Sequence, residues 1–357
     1  MDIDYGMAGG FLSGVVAGGA ARFGRLCSMS AIEDALVGRD YRGAKAWGLA
    51  VAVAGLATMA LVGAGLVSLE TSTLLDPRVH VLGTLLGGAM FGLGMTLVGT
   101  CSFGLVVRAG GGDLRALAAV ALVGIFAFAV TTGVLAPLRA ALLTVGTVDL
   151  SAFGRSSLGH VLAAGLGIDT SRAVIASGFA ALAAVALLDR RLLRRPRLVA
   201  GGILMGLAVA GGWLASAMAV ADLSGSRVES LSFVAPAGRA LLQFMALPFR
   251  GVGFGLAALA GVMLASFAVA AARGELRWEA FDDAREMRRH VLGAALMGTG
   301  GVLAQGCTIG QGLTAASALA LTAPLFVVAV LVGAHAGLRV LIEGTTLWRL
   351  GFSPRVD

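Results

Sequence analysis

GTCSFG, at residues 99–104, interrupts a long apolar run with two glycines, two hydroxyl side chains and a thiol. The apolar run before it, residues 81–99, approaches the length of about 20 residues that a helix needs to span a bilayer. A related stretch, QGCTIG, occupies residues 305–310. Because the chain contains only three cysteines, two of them in such similar surroundings indicate a functional motif.

The composition is typical of a helical membrane protein. Hydrophobic residues make up 58% of the 357 residues and charged residues only 13%, whereas soluble domains are about one quarter charged. We therefore predict an all-α polytopic membrane fold of about nine transmembrane helices, with additional short broken or re-entrant helices. The predicted crossings are residues 8–36, 46–68, 81–99, 115–136, 173–188, 199–220, 251–272, 290–306 and 325–342.

The distribution of arginines predicts the orientation of these helices. Most arginines fall in one set of alternate loops, and loops rich in arginine and lysine stay in the cytoplasm. We expect a bacterial inner-membrane protein with its N-terminus outside and its C-terminus cytoplasmic. The first residues, MDIDYG, lack the basic region of a cleavable signal peptide, so none is expected. The net charge of +7 is explained by orientation in the lipid bilayer, and no nucleic-acid partner is expected.

A shift of 206 residues aligns segment 81–99 with segment 290–306. Since these segments are predicted to cross in opposite directions, we expect an inverted repeat with a transport site between its halves. The matched residues include Gly87 with Gly293, Gly94 with Gly300, and Cys101 with Cys307. The predicted halves are residues 1–188 and 198–357, joined by a basic cytoplasmic linker at residues 189–197, DRRLLRRPR.

The motif has a third copy near the N-terminus. Each copy consists of a glycine, eight residues of any type, a cysteine, and then serine or threonine, and the copies contain all three cysteines. The hydroxyl residues favour capping of a new short helix after a break, and helix N-termini bind anions. A fourth segment, GGILMG at 201–206, resembles the first copy, but Ala219 stands where the cysteine would be. The candidate substrate-binding residues are Cys27, Cys101, Cys307, Ser28, Thr100, Ser102, Gln305 and Thr308.

Polar residues beside the motif have two interpretations each. Arg22 and Arg25 either attract an anion to a vestibule or extend to the lipid headgroups. Gln305 and Gln311 either donate amide hydrogen bonds to a substrate oxygen or link neighbouring helices.

The motif residues resemble the YeeE/YedE family of sulfur-transport membrane proteins. The resemblance rests on RFGRLCSMSA at 22–31, GTCSFG at 99–104 and QGCTIGQG at 305–312, and it covers nearly the whole chain. It implies a permease, not an enzyme, whose three cysteines pass thiosulfate or a related small sulfur-containing anion inward without a cofactor or covalent chemistry. It also implies a cytoplasmic TusA-like sulfur-carrier protein as a partner. Ser28 stands where family members typically carry an aromatic residue.

Several alternatives stay open at this point. Other branches of the family imply a selenium compound or another inorganic ion as the substrate. A membrane sulfurtransferase or thiol redox protein would form a persulfide, although no CxxC motif accompanies the thiols. A metal permease would also use soft thiol ligands, although no histidine accompanies any copy.

Overall fold

The computed structural model describes residues 5–151, 156–159, 172–222, 227–245 and 253–343. Nearly all of the regular structure within these ranges is helical, as the apolar composition predicts. Both chain ends, with their predicted orientation, lie outside the described residues, and so does the start of the predicted crossing 251–272.

The helices are α1 (Tyr5–Gly24), α2 (Ser28–Leu36), α3 (Arg42–Gly63), α4 (Val81–Val98), α5 (Ser102–Gly110), α6 (Leu114–Thr131), α7 (Ala136–Val145), α8 (Arg172–Leu187), α9 (Arg190–Leu193), α10 (Pro196–Asp222), α11 (Val234–Met245), α12 (Phe254–Ala272), α13 (Ala284–Leu303) and α14 (Thr322–Glu343). A π-helical segment, Gly310–Ala315, precedes α14. Two short strands, β1 (Arg78–His80) and β2 (Thr147–Asp149), pair antiparallel.

Six helical spans in the described residues are long and apolar enough to cross a membrane. They are α3, α4 continued by α5, α6, α10, α12 and α14, while α7 and α8 are shorter apolar helices. An all-α polytopic membrane protein is thus confirmed, and the count of nine crossings stays a prediction. The first predicted crossing, residues 8–36, is divided, because α1 ends at Gly24 and α2 begins at Ser28.

The helices that lead into the first two cysteines, α1 and α4, each lie between two long helices. α1 packs against α10 and α12, and α4 packs against α13 and α14. Glycines bring the backbones into contact: a Cβ on Gly18 would lie 2.6 Å from the carbonyl oxygen of Val262, and one on Gly92 would lie 2.3 Å from that of Val330. Small residues at such contacts are the usual means by which helices associate in lipid.

The contact between α4 and α13 is reciprocal and antiparallel. A Cβ on Gly87 would lie 2.5 Å from the carbonyl oxygen of Gly300, and one on Gly94 would lie 2.5 Å from that of Gly293. The 206-residue shift converts each of these contacts into the other, because it matches Gly87 with Gly293 and Gly94 with Gly300. This packing agrees with an inverted repeat, although the division into halves stays a prediction.

Candidate functional site

The three cysteines follow helix ends of the same form. The residue two positions before each cysteine has a left-handed backbone, with φ of +52° at Arg25, +82° at Gly99 and +60° at Gln305. This conformation ends a helix and turns the next residues away from its axis. The breaks that the glycine-cysteine motif predicts are therefore present in all three copies.

The first and third breaks also share their hydrogen bonding. The amide of Leu26 donates to the carbonyl of Ala21 at 3.0 Å, and the amide of Gly306 donates to the carbonyl of Gly301 at 2.8 Å. A bond from a residue to the fifth one before it closes a Schellman motif. In contrast, α10 continues without a break from Pro196 to Asp222, through Ala219, so the fourth segment lacks both the thiol and the turn.

The residues after the breaks differ from the prediction in one respect. Thr100, Ser102 and Thr308 were expected to cap new short helices, but the N-cap residues are Cys27 for α2 and Cys101 for α5. The cysteines take this place because their own backbones are extended, with φ of −133° and −82°. After the third cysteine the chain forms the π-helical segment instead of an α-helix.

Two of the thiols accept a hydrogen bond from the backbone. The amide of Gly104 donates to Sγ of Cys101 at 3.4 Å, and the amide of Gly310 donates to Sγ of Cys307 at 3.5 Å. Sulfur acts here as an acceptor, so each S–H proton stays available as a weak donor. All three cysteines are free thiols.

The three breaks meet in space. Sγ of Cys27 lies 3.6 Å from Oγ1 of Thr100, and Oγ of Ser28 donates to Oγ1 of Thr308 at 3.5 Å. Because Cys101 follows Thr100 and Thr308 follows Cys307, these two contacts bring all three cysteine segments together. We call this group the thiol cluster, and it consists of Cys27, Ser28, Thr100, Cys101, Cys307 and Thr308.

The motif segments also contain two buried polar atoms without a hydrogen-bond partner among the described residues, Oγ of Ser102 and Nε2 of Gln311. The side-chain oxygen of Gln311 accepts a bond from Thr322 at 2.9 Å, so only its amide nitrogen is left unpaired. Buried polar groups without partners are uncommon, and both of these lie in motif segments. Met95, which the sequence did not single out, also contacts the cluster, because Ser28 Oγ lies 3.9 Å from its sulfur.

The three thiols differ in how exposed they are, because one of them lines a cavity. Cys101 and Cys307 are 1% and 0% exposed, whereas Cys27 is partly exposed. Cys27 lines a cavity of about 510 Å³ that we call the arginine cavity. Its lining residues are Phe23, Gly24, Arg25, Leu26, Cys27, Ser30, Ala31, Asp34, Asp40, Arg42, Gly43, Trp47, Arg194, Arg195, Pro196, Arg197 and Leu198.

A second cavity, of about 440 Å³, lies where α4 begins and α13 ends, beside His80 and Gln305. We call it the histidine cavity, and it is lined by Thr73, Leu74, Asp76, Arg78, His80, Arg227 and Gln305. The structure thus places Gln305 at this cavity, exposed, while Cys307 two residues later is buried. The first motif copy, at Cys27, therefore borders the arginine cavity, and the third copy, at Gln305, borders the histidine cavity. The thiol cluster lies where these two copies meet.

The chemistry of the thiol cluster suits an anion. Its side chains are thiols and hydroxyls, which are neutral hydrogen-bond donors, and the start of α5 adds amide donors and the positive end of a helix dipole. Among the described residues, no group of three or more His, Cys, Asp or Glu side chains is placed to hold a metal ion.

Comparison with known proteins adds a second line of evidence. A family model described as Sulphur transport matches residues 23–336, which include all three cysteines. The chain is 27% identical, over 319 residues, to the thiosulfate transporter TsuA of Escherichia coli (strain K12), with 85% of this chain and 86% of that protein covered. It is also 32% identical to the thiosulfate transporter TsuA of Spirochaeta thermophila over 128 residues, 36% of each chain.

Proposed function

The chain belongs to the sulphur transport family, and we propose that it is a permease that imports thiosulfate or a related small sulfur-containing anion through the thiol cluster. The observation that carries the proposal is the meeting of three helix breaks, each with a free cysteine followed by a hydroxyl residue, between two cavities. The printed activity of the similar proteins, thiosulfate transport, supports the choice of substrate.

The path runs from the histidine cavity, past Cys307 and Cys101, to Cys27 and the arginine cavity. At each step an S–H or O–H group donates to the anion, while the backbone amides of Gly104 and Gly310 bond the sulfurs of Cys101 and Cys307. Neutral donors bind an anion without a buried cation, so they hold it weakly enough to release it to the next thiol. No bond to sulfur forms or breaks on this path.

The orientation of the path in the membrane follows from the charge distribution. The arginine cavity belongs to the arginine-rich side of the chain, and such sides face the cytoplasm. The proposal therefore places this cavity at the inner face of a bacterial inner membrane. A TusA-like carrier protein would receive the anion or its sulfur there. This chain carries no ATP-binding motif, so transport is not powered by ATP hydrolysis in this chain alone.

The thiol path is tested by uptake of labelled thiosulfate into vesicles. Cys101→Ala and Cys307→Ala should each reduce uptake at least about tenfold, because each removes a donor from a buried site. Ser216→Ala is a matched control, since Ser216 is buried but bonds only the carbonyl of Trp213. Uptake at the parental rate by both cysteine variants, correctly inserted, would rule out the thiol path.

The same assay separates the alternatives. Sulfate, sulfite and selenium anions, added as competitors, report which anion the path prefers. A membrane sulfurtransferase would instead leave a persulfide, seen as a mass increase on one cysteine after exposure to thiosulfate. A metal permease would show competition by soft metal ions and none by thiosulfate.

The unpaired amide of Gln311 gives a second test. If Nε2 donates to the passing anion, Gln311→Leu should lower uptake about tenfold, the effect of one hydrogen bond to a charged group. Leucine keeps the apolar bulk but removes the bond to Thr322, so Thr322→Val is the control for that loss. Equal uptake by both variants would assign Gln311 a purely structural role.

A further inference from the structure

We infer that the arginine cavity is a second binding site for the transported anion, separate from the thiols, and that Arg25 is the residue that holds the anion there. The inference rests on the proposed function, because the anion must first pass the thiol cluster. It deepens that function by naming the place where the anion leaves the buried path and the charged group that receives it.

The backbone of Arg25 gives the first observation. Its φ of +52° lies in the left-handed region, which residues other than glycine rarely adopt. The second copy of the motif has Gly99 at the equivalent position, with φ of +82°. Glycine would thus fit the first turn as well, and an arginine held in an unfavourable conformation points to a use for its side chain.

The side chain of Arg25 is accessible to a ligand. It is 83% exposed, and one of its guanidinium nitrogens lies 3.6 Å from the carboxylate of Glu275. Arg22 shares the same carboxylate at 3.5 Å and is only 20% exposed. Both arginines before Cys27 therefore pair with Glu275, and of the two it is Arg25 that lines the arginine cavity.

The charges around Arg25 favour an anion. Asp40 is a carboxylate over the whole physiological range, because hydrogen bonds from Arg42 lower its pKa to about 2, and the pair neutralises itself. Arg194 and Arg195 also line the cavity and form no salt bridge within the described part of the chain. With Asp34 as the other acidic lining residue, and with Glu275 shared between Arg22 and Arg25, an excess of positive charge remains, and a concave surface focuses its field.

The position of Cys27 connects this site to the path. Cys27 lines the arginine cavity and also contacts Thr100 of the thiol cluster, and Arg25 lies two residues before it. An anion released by the last neutral thiol therefore meets a full positive charge in a cavity of about 510 Å³, wide enough for it to regain water. The site would bind small divalent oxyanions of the size of thiosulfate and sulfate.

Measurements with labelled thiosulfate presented to each face of the protein in turn test the inference. Vesicles of phosphatidylcholine contain the parent protein or Arg25→Gly in known orientation. The KM for labelled thiosulfate presented to the arginine-cavity face should rise about tenfold in the variant, the loss expected for one charge-assisted hydrogen bond. The KM at the opposite face should not change, and Arg25→Lys should retain most of the affinity.

Arg39→Gly is the matched control. Arg39 also has a left-handed backbone, with φ of +51°, but lines a neighbouring pocket that shares Asp40 and Arg42 with the arginine cavity and lacks both Arg25 and Cys27. Both glycine variants should fold, because glycine favours this conformation, and only Arg25→Gly should change the KM. An unchanged KM in Arg25→Gly, or an equal change in Arg39→Gly, overturns the inference.

Two further outcomes distinguish failure of this inference from failure of the proposed function. If the effect of Arg25→Gly appears only when phosphatidylglycerol is added to the vesicles, the cavity holds a lipid phosphate and the inference is wrong. If the parent protein moves no thiosulfate, the proposed function fails and takes the inference with it. If the parent protein transports thiosulfate but Arg25→Gly has an unchanged KM, only the second binding site is ruled out and the proposed function stands.

Discussion

The first and third copies of the motif form the same turn and then differ. Both have a left-handed residue two positions before the cysteine, Arg25 in one and Gln305 in the other. The first copy continues into α2, and its thiol is partly exposed to the arginine cavity. The third continues into a π-helical segment, and its thiol is fully buried. The motif thus determines the turn, whereas the helices packed around it determine how open the thiol is.

Thiol labelling gives the largest expected contrast between the two copies. A membrane-impermeant methanethiosulfonate reagent, added on the arginine-cavity face, should modify Cys27 at least about a hundredfold faster than Cys307, because buried thiols react only after local opening. Variants that retain a single cysteine allow each rate to be measured by mass spectrometry. Comparable rates for Cys27 and Cys307 would contradict the difference in exposure.

Substitution of the motif glycines tests whether the copies share a requirement for close backbone contact. A Cβ on Gly18 would lie 2.6 Å from the carbonyl of Val262, and one on Gly298 would lie 2.6 Å from that of Val123. Gly18→Ala and Gly298→Ala should therefore each destabilise the protein by about 2 kcal/mol, seen as a lower Tm in detergent.

Gly19→Ala is the control, because a Cβ at Gly19 would meet nothing within 4 Å. Alanine at an open helical position should raise stability by up to about 1 kcal/mol. If Gly18→Ala and Gly19→Ala have the same Tm, backbone contact is not what requires glycine in the motif.

Gln305→Gly should have the smallest effect. Glycine suits the φ of +60° at this position, so the Tm should not fall. The KM for uptake from the histidine-cavity face should rise about threefold, the effect of one neutral hydrogen bond at an exposed site. A rise in KM as large as that predicted for Arg25→Gly would show that the neutral amide of Gln305 binds the anion as strongly as the charged guanidinium of Arg25.

Much of the fold and part of the site could be predicted from the sequence. Apolar composition and segment length predict the helical membrane class, because lipid requires every backbone group to be bonded within the segment. The spacing of glycine and cysteine predicts the breaks before Cys27, Cys101 and Cys307. These features are local, so a short stretch of chain carries the whole signal.

The remaining features depend on contacts between distant segments. Helix α11, Val234–Met245, packs on α6 and was not predicted, since it is too short to be recognised as a crossing. The capping role of the cysteines was missed because backbone angles, not residue type, place each one at the N-cap. The side of the molecule that Gln305 faces, and the contact of Arg22 with Glu275, are set by packing across more than 200 residues of sequence.

A charged network near α5 and α6 illustrates the same limit. Asp113 accepts hydrogen bonds from Arg108 and Arg115, and Arg115 also pairs with Glu279 and with Glu286 at 3.0 Å. Glu279 and Glu286 lie in the segment before α13 and at the start of α13, so their proximity becomes evident only when the helices are assembled.

The bond between Ser28 and Thr308 joins residues that are 280 positions apart in the chain. During synthesis, Cys27 and Cys101 enter the membrane long before Thr308 and Cys307 leave the ribosome. An unfinished chain therefore has the first two thiols but no complete thiol cluster between the cavities. The site that we propose for anion passage forms only when nearly the whole protein has been made, and on this proposal a truncated product would not be able to leak anions through it.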